Sequence, residues 1–298
     1  MKIKTLTELS RKSSHSHEEF FDWGTYSLQD GEYFMPPELL SIYDTPLYAT
    51  LSDPQIRELT RIESIQIIYL YAYTESVMCY YLARHLVKSD FGSEEHAFVL
   101  REQLEEYRHQ DMFLRGLEIL GMDFQPMSRF TKWWTGLEAI ILPAKYFFLL
   151  QITIELISRE MGRLIFSDHR VNQLVRDISL MHEREEALHI AFSDTYLQRS
   201  FQDAGFFVRT FGGICMALDI AFINTFYIYP GLYKKAGIEN DQLFYREARK
   251  AIRKSLVKNM LTGSALEFLR KYDWITWANA GIWLIFTGIT REKIYGKN

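Results

Sequence analysis

Cysteine is nearly missing from this 298-residue chain: there are two, Cys79 and Cys215, and no Cys-x-x-Cys pair. That speaks against a disulfide scaffold and a cysteine-ligated metal site, and makes a reducing compartment, the cytoplasm, the expectation. Basic blocks are missing as well. The net charge is −4 and the pI about 6.1, with no Lys/Arg stripe, so nucleic acid is not an expected partner. The opening MKIKTLTELSRKSSHSHEEF holds no apolar stretch of the kind a secretory signal needs. The longest uncharged run, residues 274–290, covers 17 positions. A membrane-crossing helix takes roughly 20, so no membrane span is expected. Proline numbers only seven, and none interrupts the longest segments of 3.6-residue period. Strand-like alternation and hairpin signals are also lacking.

What is present is apolar and aromatic. The 48% hydrophobic and 15% aromatic content implies a large, aromatic-lined interior. The first 50 residues read as loop, with turn chemistry in FMPPELLSIYDTP. A long helix then opens with Asp53 as N-cap and Pro54 at the first helical position, and runs to about Lys88. SDFGS breaks it. A second helix runs from about Glu94 to Leu120, stopped by Gly121. FTKWWTG reads as an aromatic connector to a third helix, from near Pro143 to about Phe166. SDHRV separates this from a fourth, about 170–198, and at least three more helical segments fill 203–298. The expected fold is all-α: a single domain over residues 1–298 with a four-helix bundle at 54–198 and additional N- and C-terminal helices.

Inside the bundle the sequence repeats. Glu106-x-x-His109 and Glu186-x-x-His189 each follow a glutamate set in an apolar helix, Glu75 in IIYLYAYTESVMCYYL and Glu155 in AKYFFLLQITIELI. A lone ionised carboxylate there would cost several kcal/mol to bury. Glu75 to Glu106 is 31 residues and Glu155 to Glu186 is also 31; adding 80 maps one set onto the other. Each pair is centred on a helix break, at SDFGS and at SDHRV. With a rise of about 1.5 Å per residue, residues equidistant from a hairpin turn stand at one height. Two such hairpins related by a pseudo-twofold axis bring all six side chains to one level. That is the carboxylate di-iron or di-manganese arrangement, one Glu from each of two helices and one Glu-x-x-His from each of the others. Four carboxylates balance two divalent ions, and the oxygen and imidazole donors suit iron. The apolar flanks and the agreement of spacings weigh against a set of solvated helix charges. His182, Glu186 and His189 lie within roughly 60° of one another on a helical wheel. The residue 80 positions before His182 is Glu102, so the symmetry breaks there. On geometry alone His182 is either a third nitrogen ligand or a neighbour one turn away.

The order Glu75, Glu106-x-x-His109, Glu155, His182-x-x-x-Glu186-x-x-His189 resembles the p-aminobenzoate N-oxygenase family, a ferritin-like group of non-haem di-iron oxygenases. The resemblance covers roughly residues 20–230, with FMPPELLSIYDTPLYATLSDPQIRELTRIE resembling the family's lead-in to its first core helix. It implies His182 as the extra histidine ligand. It also implies a diferrous pair that reduces O₂ through a peroxo-diferric species and oxidises an amine to hydroxylamine and nitro products. A small amine of specialised metabolism as substrate, an external electron donor (a reductase, ferredoxin or chemical reductant) and a homodimer are the accompanying expectations. The same centre could instead hydroxylate or desaturate carbon, because fold alone does not fix the reaction. A ferroxidase or a radical-generating subunit, the latter with Tyr71 or Tyr107 as the redox tyrosine, are more distant alternatives. About 100 residues beyond the bundle argue against iron storage.

Residues one turn from the ligands are the candidate pocket wall: Tyr71 and Cys79 beside Glu75, Gln151 and Arg159 beside Glu155. Arg159 could equally pair with a ligand carboxylate. The apolar stretches 206–233 and 274–283 are expected to cap the bundle and shape the pocket, or to form a subunit interface. Histidines 15, 17, 85, 96 and 169 are expected in solvent, as are Glu183, Arg184 and Glu185 unless they support the ligands.

Overall fold

A computed structural model describes residues 2–13, 17–29, 31–259, 263–290 and 292–293. Four helices form the centre: α3 (Asp53–Lys88), α4 (Glu94–Leu120), α6 (Ala144–Ser167) and α7 (Gln173–Ser200). They are preceded by α1 (Ile3–Ser13) and α2 (His17–Phe20). The helix α5 (Arg129–Ile141) links the two hairpins. Beyond them follow α8 (Phe206–Tyr227), α9 (Leu232–Lys235), α10 (Asp241–Asn259), α11 (Gly263–Lys271) and α12 (Ala280–Thr287). The described residues form no strand, only an isolated bridge between Tyr33 and Val171. The protein is all-α.

The pairing is that of two hairpins. α3 packs along α4, α6 packs along α7, and α4 meets α7 across the middle. Local chemistry sets the hairpin ends. Ser93 Oγ accepts the His96 N–H at 3.1 Å to start α4, and Gly121 at φ 103° ends it, a conformation that costs glycine little. Asn172 Oδ1 accepts the Leu174 N–H at 3.1 Å to start α7. Aromatic rings close the interior beside the buried polar level: Phe98 stacks on Phe192 with centroids 4.2 Å apart, and Phe148 meets Phe192 edge-on at 5.6 Å.

Three local expectations are corrected. The N-cap of α3 is Ser52, not Asp53: Gln55 Oε1 accepts the Ser52 N–H at 3.0 Å. Asp53 instead pairs with Arg57 at 2.7 Å. Much of the first 50 residues is not loop, since α1 turns Ile3, Leu6, Thr7 and Ser10 inward and packs on α4 and α7. The connector FTKWWTG lies in helix α5, capped by Ser128 Oγ on the Thr131 N–H at 3.0 Å. Its Thr131, Thr135 and Ala139 are buried while Phe130, Trp133 and Trp134 face solvent. α8 lies against α3, α6 and α12 and covers the bundle side on which the cavity described below opens.

Candidate metal centre

Glu75 on α3, Glu106 and His109 on α4, Glu155 on α6, and His182, Glu186 and His189 on α7 are all buried. They fall into two groups whose ligand atoms lie within 4.8 Å of one another: Glu75, His109, His182 and Glu186, and Glu102, Glu106, Glu155 and His189. The two groups share carboxylates. Glu186 Oε1 stands 3.2 Å from His182 Nε2 and 3.5 Å from His109 Nδ1, and its Oε2 is 3.1 Å from His189 Nδ1. Glu106 Oε2 is 3.5 Å from His109 Nδ1, and its Oε1 is 3.2 Å from His189 Nδ1. Each Glu-x-x-His glutamate therefore turns one oxygen toward each group, the placement of a bridging carboxylate. His182 Nε2 is 3.0 Å from Glu75 Oε1.

Such a charge density shifts several of these titrations. Burial, and then Glu106, hold the Glu75 carboxyl above its ordinary pKa; burial and Glu186 do so more strongly for Glu155. Burial would lower the imidazoles, but Glu75 and its neighbours carry His109 well above its usual value, and Glu186 and Glu75 raise His182 to about 9. Among the described residues, several carboxylate oxygens lack any hydrogen-bond partner: Glu75 Oε2, both Glu106 oxygens, Glu102 Oε2 and Glu155 Oε2. Buried, unpartnered carboxylate oxygens converging on one level are the arrangement that divalent cations satisfy.

A model of the family described as p-aminobenzoate N-oxygenase AurF matches residues 2–273. The chain belongs to this family. The match is longer than the 20–230 stretch that the sequence pattern outlines, and takes in α1 and α9 to α11 as well. An uncharacterized protein of Mycobacterium tuberculosis is 24% identical over 158 residues, 49% of this chain and 46% of its own. One of Mycobacterium bovis is 25% identical over 128 residues, 42% and 38% of the two chains. The chain thus spans less than half the length of these curated relatives. The p-aminobenzoate N-oxygenase family is one of ferritin-like di-iron oxygenases, and the buried His/Glu groups described above are ones that could hold metal.

The 80-residue repeat also organises residues that the ligand pattern left aside. Both halves read Glu-Glu-x-x-His, and the first glutamate of each reaches the other half's histidine. Glu105 Oε2 is 2.9 Å from His189 Nε2, and Glu185 Oε2 is 2.8 Å from His109 Nε2. With Nε2 so engaged, Nδ1 of each ring faces the centre. The N-terminal segment supplies one further partner to each. Ser10 Oγ donates to Glu105 Oε1 at 2.7 Å, and His17 Nε2 lies 3.2 Å from Glu185 Oε2. Both Glu185 and His17 are buried, so the expectation of solvent exposure is corrected for His17 and decided for Glu185. Arg184 is exposed and Glu183 is half-buried. The doubled glutamate was available as a signal in the 80-residue repeat; nothing local marks His17.

The symmetry break is paired as well. Tyr71, one turn before Glu75, stacks on His182 with centroids 5.3 Å apart. Its counterpart Gln151, one turn before Glu155, donates through Nε2 to both Glu102 and Glu155. A cavity of about 130 Å³ opens on this centre; Tyr71, Gln151, Glu75, Glu155, His182 and Glu186 form its inner end. Cys79 and Arg159 are not in its wall. Gln110 Nε2 lies 3.2 Å from Cys79 Sγ on the α4 side, and Arg159 is ion-paired with Glu183 at 3.2 Å rather than with a ligand carboxylate. No described helix is long and apolar enough to cross a membrane.

Proposed function

We propose that this protein is a di-iron monooxygenase that uses O₂ to N-oxygenate an amine of a small molecule, giving hydroxylamine and then nitro products. The observation that carries the reading is the convergence of seven side chains from four helices on one buried level beside a cavity. Glu75, Glu106, His109, Glu155, His182, Glu186 and His189 would hold two iron ions. Glu102, fully buried with a free oxygen toward Glu106, Glu155 and His189, joins the set as an eighth donor. Five carboxylates and three imidazoles satisfy hard divalent ions, so iron fits and manganese would be tolerated. Bound iron supplies the reduction of O₂ and the oxygen transfer.

The chain's own groups do the rest. Glu105 and Glu185 fix the tautomers of His189 and His109. Gln151 restrains Glu102 and Glu155, and Tyr71 restrains His182. The cavity compares with sites of about 150 Å³ that take a single benzene ring, which favours an aromatic amine. Each hydroxylation by O₂ consumes two electrons beyond those of the substrate, so an external donor is part of the proposal. Residues 1–298 act as one domain, and the solvent-facing Phe130, Trp133 and Trp134 support a homodimer.

The test is single-turnover incubation of reduced, iron-loaded protein with O₂ and a panel of arylamines, read by mass spectrometry. Hydroxylamine, nitroso or nitro products are expected. Products hydroxylated or desaturated only at carbon would move the reading to the carbon-oxidising class.

A further inference from the structure

The cavity's far end is acidic. Glu138 on α5 and Asp219 on α8 line it opposite the metal-facing carboxylates. They also line an outer vestibule of about 890 Å³ that shares Phe222 with the cavity. Asp219 Oδ2 is sealed from solvent and has no hydrogen-bond partner among the described residues. No lysine or arginine side chain stands in the cavity wall among those residues. Arg249 and Lys250 occur only in the vestibule, where Lys250 is held by Glu247 at 2.6 Å. Within the cavity, two carboxyl groups thus share a low-dielectric space with no lysine or arginine among the described residues of its wall to balance them. Burial and then Glu138 push the Asp219 carboxyl up to about 8, and burial raises Glu138. Such a pair is relieved by a positive charge brought in from outside, and a third carboxylate would add repulsion.

We propose that Asp219 and Glu138 select the substrate: an aromatic amine bearing a second, cationic nitrogen at the end away from the atom oxidised, with aminobenzoate-type acids rejected. The inference rests on the cavity being the amine site. The arylamine end reaches the metal-facing wall while the cationic end sits between the two acids at the neck. The ring lies along the apolar wall contributed by Phe147, Leu150 and Phe226.

Two para-substituted anilines of opposite charge, 4-(aminomethyl)aniline and 4-aminobenzoate, test this on the iron-loaded full chain. Binding is measured by calorimetry, and products by mass spectrometry. The cation is expected to bind at least about tenfold tighter. The conservative variants Asp219→Asn and Glu138→Gln, checked for retained fold by circular dichroism and for retained iron, are expected to bring the two ligands to within about threefold. Equal or tighter binding of 4-aminobenzoate, binding of neither ligand, or an unchanged preference in the double variant overturns the proposal. Selective binding of the cation without N-oxygenated product leaves the selectivity standing and fails the oxidation chemistry. Product from both ligands without preference does the reverse.

Discussion

Glu105 and Glu185 each precede the glutamate of a Glu-x-x-His in sequence, yet each serves the histidine of the opposite hairpin. Removing one frees an imidazole Nε2 and releases the ring's orientation. Glu185→Ala is therefore expected to weaken iron affinity by about 10–100-fold, measured by chelator competition. Glu185→Gln, whose amide oxygen still accepts from Nε2, should recover most of it; equal loss in both variants would show that charge, not orientation, matters. Titration gives a second residue-scale prediction. In metal-stripped protein His182 rises from 6.5 to about 9, so its contribution to stability is complete below 6.5 and lost as pH climbs through 9. Glu102, raised from 4.5 to about 8 by burial, adds a slope of the same sign. Glu63, buried on α3 away from the centre and raised to about 7 by burial against its bonds to Ser41 and Tyr227, contributes equally with and without metal. Calorimetric melting temperatures of stripped protein should therefore fall more steeply from pH 6.5 to 9 than those of iron-loaded protein. Identical slopes would contradict the ligand assignment. The proposed ligands were legible because Glu75 and Glu155 are charges in apolar runs and each is followed at the same spacing by a Glu-x-x-His; His182, where the repeat fails, is assigned only through the family resemblance. His17 was not legible, because its burial follows from the distant docking of the N-terminal segment onto Glu185.

At the scale of elements, the long helices announced themselves through breaks and caps, and α4 matches its expected bounds at both ends. Helices α1 and α5 escaped because each is short and its burial is supplied by other elements. In α5 the exposed tryptophans masked a narrow inward stripe of threonine and alanine. α8 shows the opposite dependence on close packing. A Cβ at Gly213 would stand 2.0 Å from the Trp274 carbonyl oxygen and 2.5 Å from Asn279 Nδ2. Gly213→Ala is expected to destabilise by about 1–3 kcal/mol or more by overpacking. Gly136→Ala, in open space on α5, should instead stabilise by about 0.5–1 kcal/mol. Thermal melts of the two variants should move in opposite directions. A neutral Gly213→Ala would mean that α8 does not seat against the Trp274 segment as described.

For the whole molecule, an 80-residue duplication supplies two hairpins, and their apposition creates a centre that neither hairpin holds alone. The seven-residue pattern follows from that symmetry, and its one departure, His182 opposite Glu102, is matched by Tyr71 opposite Gln151. What the symmetry cannot convey is the cavity, because α5 and α8 lie outside the repeat and bring Glu138 and Asp219 to its far end. The central claim is that the buried His/Glu level is a two-metal site. Metal analysis of the protein reconstituted anaerobically with ferrous iron and freed of excess tests it most directly. About two irons per chain are expected, with His182→Ala and Glu106→Ala each lowering that number while circular dichroism stays helical. Fewer than about one iron per chain in fully reconstituted wild-type protein would contradict the account.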